Sequence, residues 1–225
     1  MKNLFILFLL LSVFSSNAQR TMFGSQNNYV TPVAPAANVP TVISGGGRIW
    51  MDRNLGASQV ATSVSDPLAY GDLYQWGRGT DGHQLRTSGT TSTQSTTDVP
   101  VNNFFILAGG DWRNPSNPNL WQGVNGINNP CPLGFRLPTK AEWDIEIASW
   151  SSINQAGAFA SPLKLTSAGF RQTNGVFNND NMWADYWSST INNNQSVIMN
   201  FHSAGGGTLN SYERAWGFTC RCIKN

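Results

Sequence analysis

Two periodicities stand out in a chain otherwise rich in turn-forming residues. Trp143, Ile147 and Trp150 recur at i, i+4 and i+7, which puts three large apolar side chains on one helical face. Thr139 stands three residues before Glu142, the spacing at which a capping box satisfies two orphan backbone donors. Together they predict a helix over Lys140–Ser149. Between Ser196 and His202 the pattern changes: Val197, Met199 and Phe201 alternate with Ile198, Asn200 and His202, the period of a strand. Phe218-Thr-Cys-Arg-Cys-Ile223 repeats that period, with Phe218, Cys220 and Cys222 on one face.

Shorter signals fill in the rest. Thr41–Ser44 and Arg48–Met51 flank Gly45–Gly47 and read as a hairpin with a glycine turn. Leu163–Thr166, Ala168–Arg171 and Tyr186–Thr190 read as strands, with Thr173–Gly175 turning into Val176 and Phe177, and Gly205–Gly207 reads as a turn. Thr87–Asp98 has the Ser/Thr content of a surface loop. Trp112 and Trp121 lie in a Pro/Asn/Gly-rich segment that they are expected to pin onto the domain. One or two helices among many short strands predict an α+β fold built on antiparallel sheet.

Composition narrows the setting. Residues 1–18 have the form of a secretory signal: Lys2, then an apolar run from Leu4 to Phe14, then Ser16-Asn-Ala18. Residues 19–40 read as an extended Asn/Pro-rich linker, which leaves 41–225 as the domain. Charged residues are 12% of the chain, about half the usual share, so its polar surface rests on Asn, Gln, Ser and Thr, as suits a secreted or cell-surface protein. A net charge of +2 without a basic cluster excludes nucleic acid as a partner. No further segment is apolar enough to insert the mature chain into a membrane. Three cysteines imply one disulfide and one spare thiol, with Cys131 facing Cys220 and Cys222 as candidate partners.

Gly47-Arg-Ile-Trp-Met-Asp-Arg-Asn-Leu55, Tyr70-Gly-Asp-Leu-Tyr-Gln-Trp76, Cys131-Pro-Leu-Gly-Phe-Arg-Leu-Pro-Thr139, Glu142-Trp143, Tyr186-Trp-Ser-Ser-Thr190 and Arg221-Cys-Ile223 follow in order across 45–225. In these residues the chain resembles the Fibrobacter succinogenes major paralogous domain family of secreted bacterial proteins. Arg136–Trp143 is also similar to the helix start of formylglycine-generating enzymes, which implies a C-type-lectin-like fold of twisted antiparallel sheets with long loops. In the first family the position of Cys220 is usually a plain hydrophobe, so the resemblance implies a Cys131–Cys222 disulfide. It also implies core roles for Trp50, Trp76, Trp143 and Trp187. The copper-binding cysteine pair of the formylglycine-generating enzymes has no counterpart here.

No catalytic set assembles from the sequence. Ser203 follows His202 without the first glycine of a nucleophile elbow, and the two side chains point to opposite faces of a strand. Glu142 and Glu146 share a helix face, but Glu142 belongs to the cap and both read as solvated surface. The stretch 174–216, where a lectin-like domain displays ligand-facing loops, is more promising. There Asn178, Asp180 and Trp183 are followed by Asp185, then Asn192, Asn193 and Asn194. His202, Tyr212 and Glu213 complete the candidate set, and stacking on a ligand falls to Trp183, Trp216 or Trp121. These oxygens could also serve calcium, but the Glu-Pro-Asn and Trp-Asn-Asp motifs of calcium-dependent lectins are absent, so no cofactor or metal is expected. The expectation is a non-catalytic binding or adhesion domain for a glycan or surface protein. The alternatives are an extracellular enzyme acting on polysaccharide or protein, and a structural surface or fibre subunit.

Overall fold

In a computed structural model, which describes residues 38–178 and 180–225, the helix start at Thr139 is capped in both directions. The Glu142 N–H donates to Thr139 Oγ1 at 3.2 Å, and the Thr139 N–H donates to Glu142 Oε2 at 2.8 Å. Arg136 adds a two-pronged contact to the same carboxylate at 2.8 and 2.7 Å. Burial opposes the charge on Glu142, yet Arg136 and the Thr139 N–H hold its carboxyl down to about 2. The secretory signal read at 1–18, and the linker as far as residue 37, lie outside the described residues.

The elements are β1 (Thr41–Ile43), β2 (Ile49–Met51), β3 (Leu73–Gln75), β4 (Thr90–Thr91), β5 (Phe105–Ile106) and β6 (Phe135–Arg136). Two helices follow, α1 (Lys140–Ala148) and α2 (Gln155–Ala160). Then come β7 (Phe170–Arg171), β8 (Phe177–Asn178), β9 (Trp183–Asn192), β10 (Gln195–His202), β11 (Gly205–Glu213), β12 (Gly217–Thr219) and β13 (Ile223–Lys224). The fold is α+β. One sheet runs β1-β2-β13-β6, and a larger one runs β11-β10-β9-β12-β7-β8 with β3 also paired to β12. β4 and β5 form a small parallel pair, so the segment expected to be a plain Ser/Thr loop carries a strand.

Both faces of the large sheet are covered. On one, Trp143 and Ile147 of α1 and Trp150 just after it pack against Tyr186, Met199 and Phe201. On the other, Trp187, Ile198 and Phe218 meet Trp76 and Trp121 from the long loops. Those loops are held by indole N–H groups: Trp112 donates to the Trp76 carbonyl at 2.7 Å, and Trp121 donates to the Asn128 carbonyl at 2.9 Å. A loop buried this way needs partners for its carbonyls, and indole supplies a donor together with a large apolar area.

The C-terminal segment crosses between the sheets. β12 lies inside the large sheet and β13 inside the small one, with Cys220, Arg221 and Cys222 between them. Cys131 and Cys222 are bonded, with Cα atoms 5.9 Å apart, and Cys220 is a free buried thiol. Arg221 is enclosed, and among the described residues no carboxylate pairs with it. Its guanidinium donates to Asn54 Oδ1 at 2.8 and 3.0 Å and to the carbonyls of Leu163 and Met51 at 2.9 and 3.2 Å. Asn54 Nδ2 in turn donates to Ala69 O at 3.1 Å and Thr166 Oγ1 at 3.0 Å. Burial lowers the Arg221 guanidinium to about 10, so it stays charged at neutral pH.

Several expectations need correction. Leu163–Thr166 is irregular, with Lys164 at φ 50°: the Leu163 carbonyl accepts from Arg221 and the Thr166 carbonyl from the Tyr186 hydroxyl, rather than from a neighbouring strand. Gly205–Gly207 begins β11, and the turn falls on Ser203 and Ala204. Glycine is needed there for close approach: at Gly206, φ 137°, a Cβ would lie 2.2 Å from the Phe201 Cα. Glu146 is not solvated. It is 1% exposed and accepts from the Trp150 indole at 3.3 Å and the Gly46 N–H at 3.4 Å, fastening the β1–β2 hairpin to α1.

Candidate functional site

The stretch 174–216 is mainly strand rather than loop: β9, β10 and β11 form a long antiparallel meander. Alternation therefore decides which of its residues can act together. Trp183, Asp185 and Trp187 of β9 share a face with Ile198, Asn200 and His202 of β10. At one end this face opens into a pocket of about 190 Å³. Trp183, Asp185 and Asn200 contribute from β9 and β10, Tyr212 from β11, Phe170 from β7, Phe218 from β12, and Trp216 from the turn before β12.

Of the nine tryptophans, seven are buried at 8% exposure or less. The two that the core does not enclose, Trp183 and Trp216, both line this pocket. Trp216 stacks on Phe218 with ring centres 5.8 Å apart, and Tyr212 and Phe170 meet Trp216 edge-on at 5.5 and 5.4 Å. Trp183 carries the His202 imidazole against its ring at 4.6 Å. Trp121, a stacking candidate from sequence, is a core residue at 1% exposure.

Asp185 is the pocket's one carboxylate. It is 3% exposed, and Asn200 Nδ2 donates to its Oδ1 at 2.6 Å. Burial pushes the carboxyl up to about 7, against the opposing pull of the Asn200 amide. The sign of the consequence is set by the unfolded chain, which releases that proton near 3.8. Between these values the folded state holds a proton that the unfolded state lacks, so its contribution to stability declines as pH rises and levels off above about 7. Asp185→Asn removes this loss. Relative to wild type, the variant should gain stability from about pH 5 to pH 7 by up to about 1.4 kcal/mol per unit, and level off by pH 8. Urea denaturation of both proteins across that range checks it, and a pH-independent difference would overturn the assignment. His83 has no part in the comparison, since both proteins retain it. Burial lowers that imidazole to about 4, its Nε2 accepts the Gln75 N–H at 3.0 Å, and its Nδ1 faces Asp81 at 2.5 Å. With both nitrogens engaged inside the core, it is a structural histidine.

The sequence-derived candidates separate into groups. Trp183 and Tyr212 line the pocket, and His202 stacks on its rim. Asn178 lies opposite Phe170 in the β7–β8 ladder, and Asp180 is exposed and paired with Arg86 at 3.5 Å. Asn192, Asn193 and Asn194 form the exposed β9–β10 turn, nine residues along β9 from Trp183, or roughly 30 Å. Arg214 holds that turn from beneath through the Asn193 carbonyl at 3.2 Å. Glu213 ends β11 and does not line the pocket. The pocket adds Asn200, Phe170 and Phe218, which the sequence reading did not single out, and gives Asp185 its central place. The available signal was an acid at an inward strand position between two tryptophans. Among the described residues, no three His, Cys, Asp or Glu side chains converge to hold a metal ion, and no helix is long and apolar enough to cross a membrane.

Comparison of the chain with protein-family models, with curated proteins and with solved structures finds no match.

Proposed function

We propose that this is a secreted, non-catalytic binding or adhesion domain on a C-type-lectin-like scaffold, recognising a glycan or surface protein through the aromatic pocket beside β9. The observation that carries the reading is the shared location of Trp183 and Trp216. Every other tryptophan is committed to the core, while these two leave ring surface open around a buried carboxyl and amide. Such pockets bind through apolar area and use a few polar groups for orientation. The disulfide and the low charge content favour an oxidising, extracellular setting. The scaffold reading is supported by the bond between the segment before α1 and the C-terminal strand segment.

A glycosidase reading asks for a second carboxyl group in the pocket. The other aspartate with a carboxyl raised by burial, Asp72 at about 6, is not among the lining residues. A glycosidase pair is therefore not assembled.

Screening the purified protein on glycan arrays and surface-protein panels should identify a ligand. Trp183→Ala and Trp216→Ala should each weaken it about tenfold or more, with unchanged folding by circular dichroism. Binding that survives both substitutions would place the site elsewhere.

A further inference from the structure

We propose that the pocket takes a cationic alkylammonium group, the end of a lysine or N-methylated lysine side chain on a partner protein, with Asp185 as its counter-charge. This rests on the reading of the pocket as the ligand site.

Three features of the pocket converge on that chemistry. The first is its walls. Trp183, Tyr212, Trp216, Phe170 and Phe218 surround the space with aromatic carbon, and the negative faces of such rings attract a cation most strongly where water is excluded. The second is charge. Asp185 is almost fully enclosed, yet among the described residues no arginine or lysine pairs with it, and its one hydrogen-bond partner is the neutral Asn200 amide. A buried carboxylate without a counter-ion is costly, and an incoming ammonium would remove that cost. The third is size and polarity. About 190 Å³ is below the range that encloses a drug-sized ligand, so the space fits one small head group. The Asp185 and Asn200 side chains, the Tyr212 hydroxyl and the indole N–H groups are few partners for the hydroxyls of a sugar ring.

The surroundings also set a pH dependence. β10 presents Asn200 and, at the rim, His202; β11 presents Tyr212; β12 and β7 present Phe218 and Phe170. Besides Asp185 and Tyr212, the ionisable side chain nearest the pocket is His202, set against Trp183 at the rim. Asp185 gives up its proton near 7, and with it gains the charge that attracts the ligand. Affinity should therefore rise from pH 6 to pH 8.

Isothermal titration of the purified protein with choline and with a trimethyl-lysine peptide, against the uncharged choline isostere 3,3-dimethylbutan-1-ol, tests the proposal. At pH 8 the cations should bind at least about tenfold more tightly than the isostere, and their affinity should fall several-fold at pH 6. Asp185→Asn should abolish the discrimination. Should that variant misfold, the wild-type comparison of cation with isostere decides alone. Equal affinity for the isostere, or no ammonium binding up to about 10 mM, would overturn the proposal. Glucosamine binding more tightly than the peptide would overturn the lysine assignment. In either case, a glycan or protein ligand still lost on Trp183→Ala would leave the pocket as the binding site, whereas one insensitive to it would remove both readings.

Discussion

Reducing the Cys131–Cys222 bond is expected to lower stability by about 4–5 kcal/mol, a drop in thermal midpoint of roughly 10–20 °C. The bond closes a loop spanning 91 positions, so opening it restores much of the freedom of the unfolded chain. Its location should make the loss felt throughout. Cys131 precedes α1 by nine residues, and Cys222 stands between a strand of the large sheet and a strand of the small one. Thermal unfolding followed by near-ultraviolet circular dichroism, with and without reductant, measures the effect, and Cys131→Ser should reproduce it. A reduced protein that melts within about 2 °C of the oxidised one would show that packing, not the cross-link, holds the C-terminal segment.

The second large effect concerns Arg221. Its charge is compensated by oxygen atoms alone, and Asn54 accepts two of its hydrogen bonds. Asn54→Leu keeps the approximate volume but leaves the guanidinium underpaired and removes a donor from the Ala69 carbonyl and Thr166 hydroxyl. Breaking a buried charged network from one side costs about 3–5 kcal/mol. Arg221→Met should cost a similar amount by leaving Asn54 without its partner. The double variant Asn54→Leu/Arg221→Met should recover much of the loss, since a matched apolar pair strands fewer polar groups. Additive losses in urea denaturation would show that the two residues act independently.

What could be read in the chain follows from how local each interaction is. The capping box and the Trp143–Ile147–Trp150 face lie within a dozen residues, and α1 forms where they place it. The glycine hairpin between β1 and β2 is equally local. The disulfide followed from the family resemblance. By contrast, α2 carries no long apolar period, and its start depends on the Asn154 side chain capping the Gly157 N–H at 3.0 Å. Alternation in Ser196–His202 and the Tyr186–Thr190 run marked β10 and part of β9, but β11 was obscured by composition. Asn, Ser, Thr and Gly have low or mixed strand preference, and only pairing with neighbours makes 205–213 a strand. The site suffered most. Asn192–Asn194 and Trp183 are close in sequence, yet they sit at opposite ends of a strand. Phe170 and Phe218 are distant in sequence and meet in the pocket, with ring centres 6.0 Å apart.

The position of β12 has a consequence for the order in which the protein can be made. This three-residue strand touches β3, β7 and β9, so the large sheet has no middle until residues 217–219 have been synthesised. The β9–β11 meander can pair beforehand, but Tyr74, Phe170 and Trp187 cannot close over one another without Phe218 among them. Closure must wait for long-range contacts, so the large sheet completes only after residues 217–219 have left the machinery that makes them. A chain released before Gly217 would carry an intact hairpin stack with an open flank, and its exposed strand edge and aromatic surface would make it a target for proteolysis or aggregation. The aromatic pocket likewise gains its Phe218 wall only once these residues are in place.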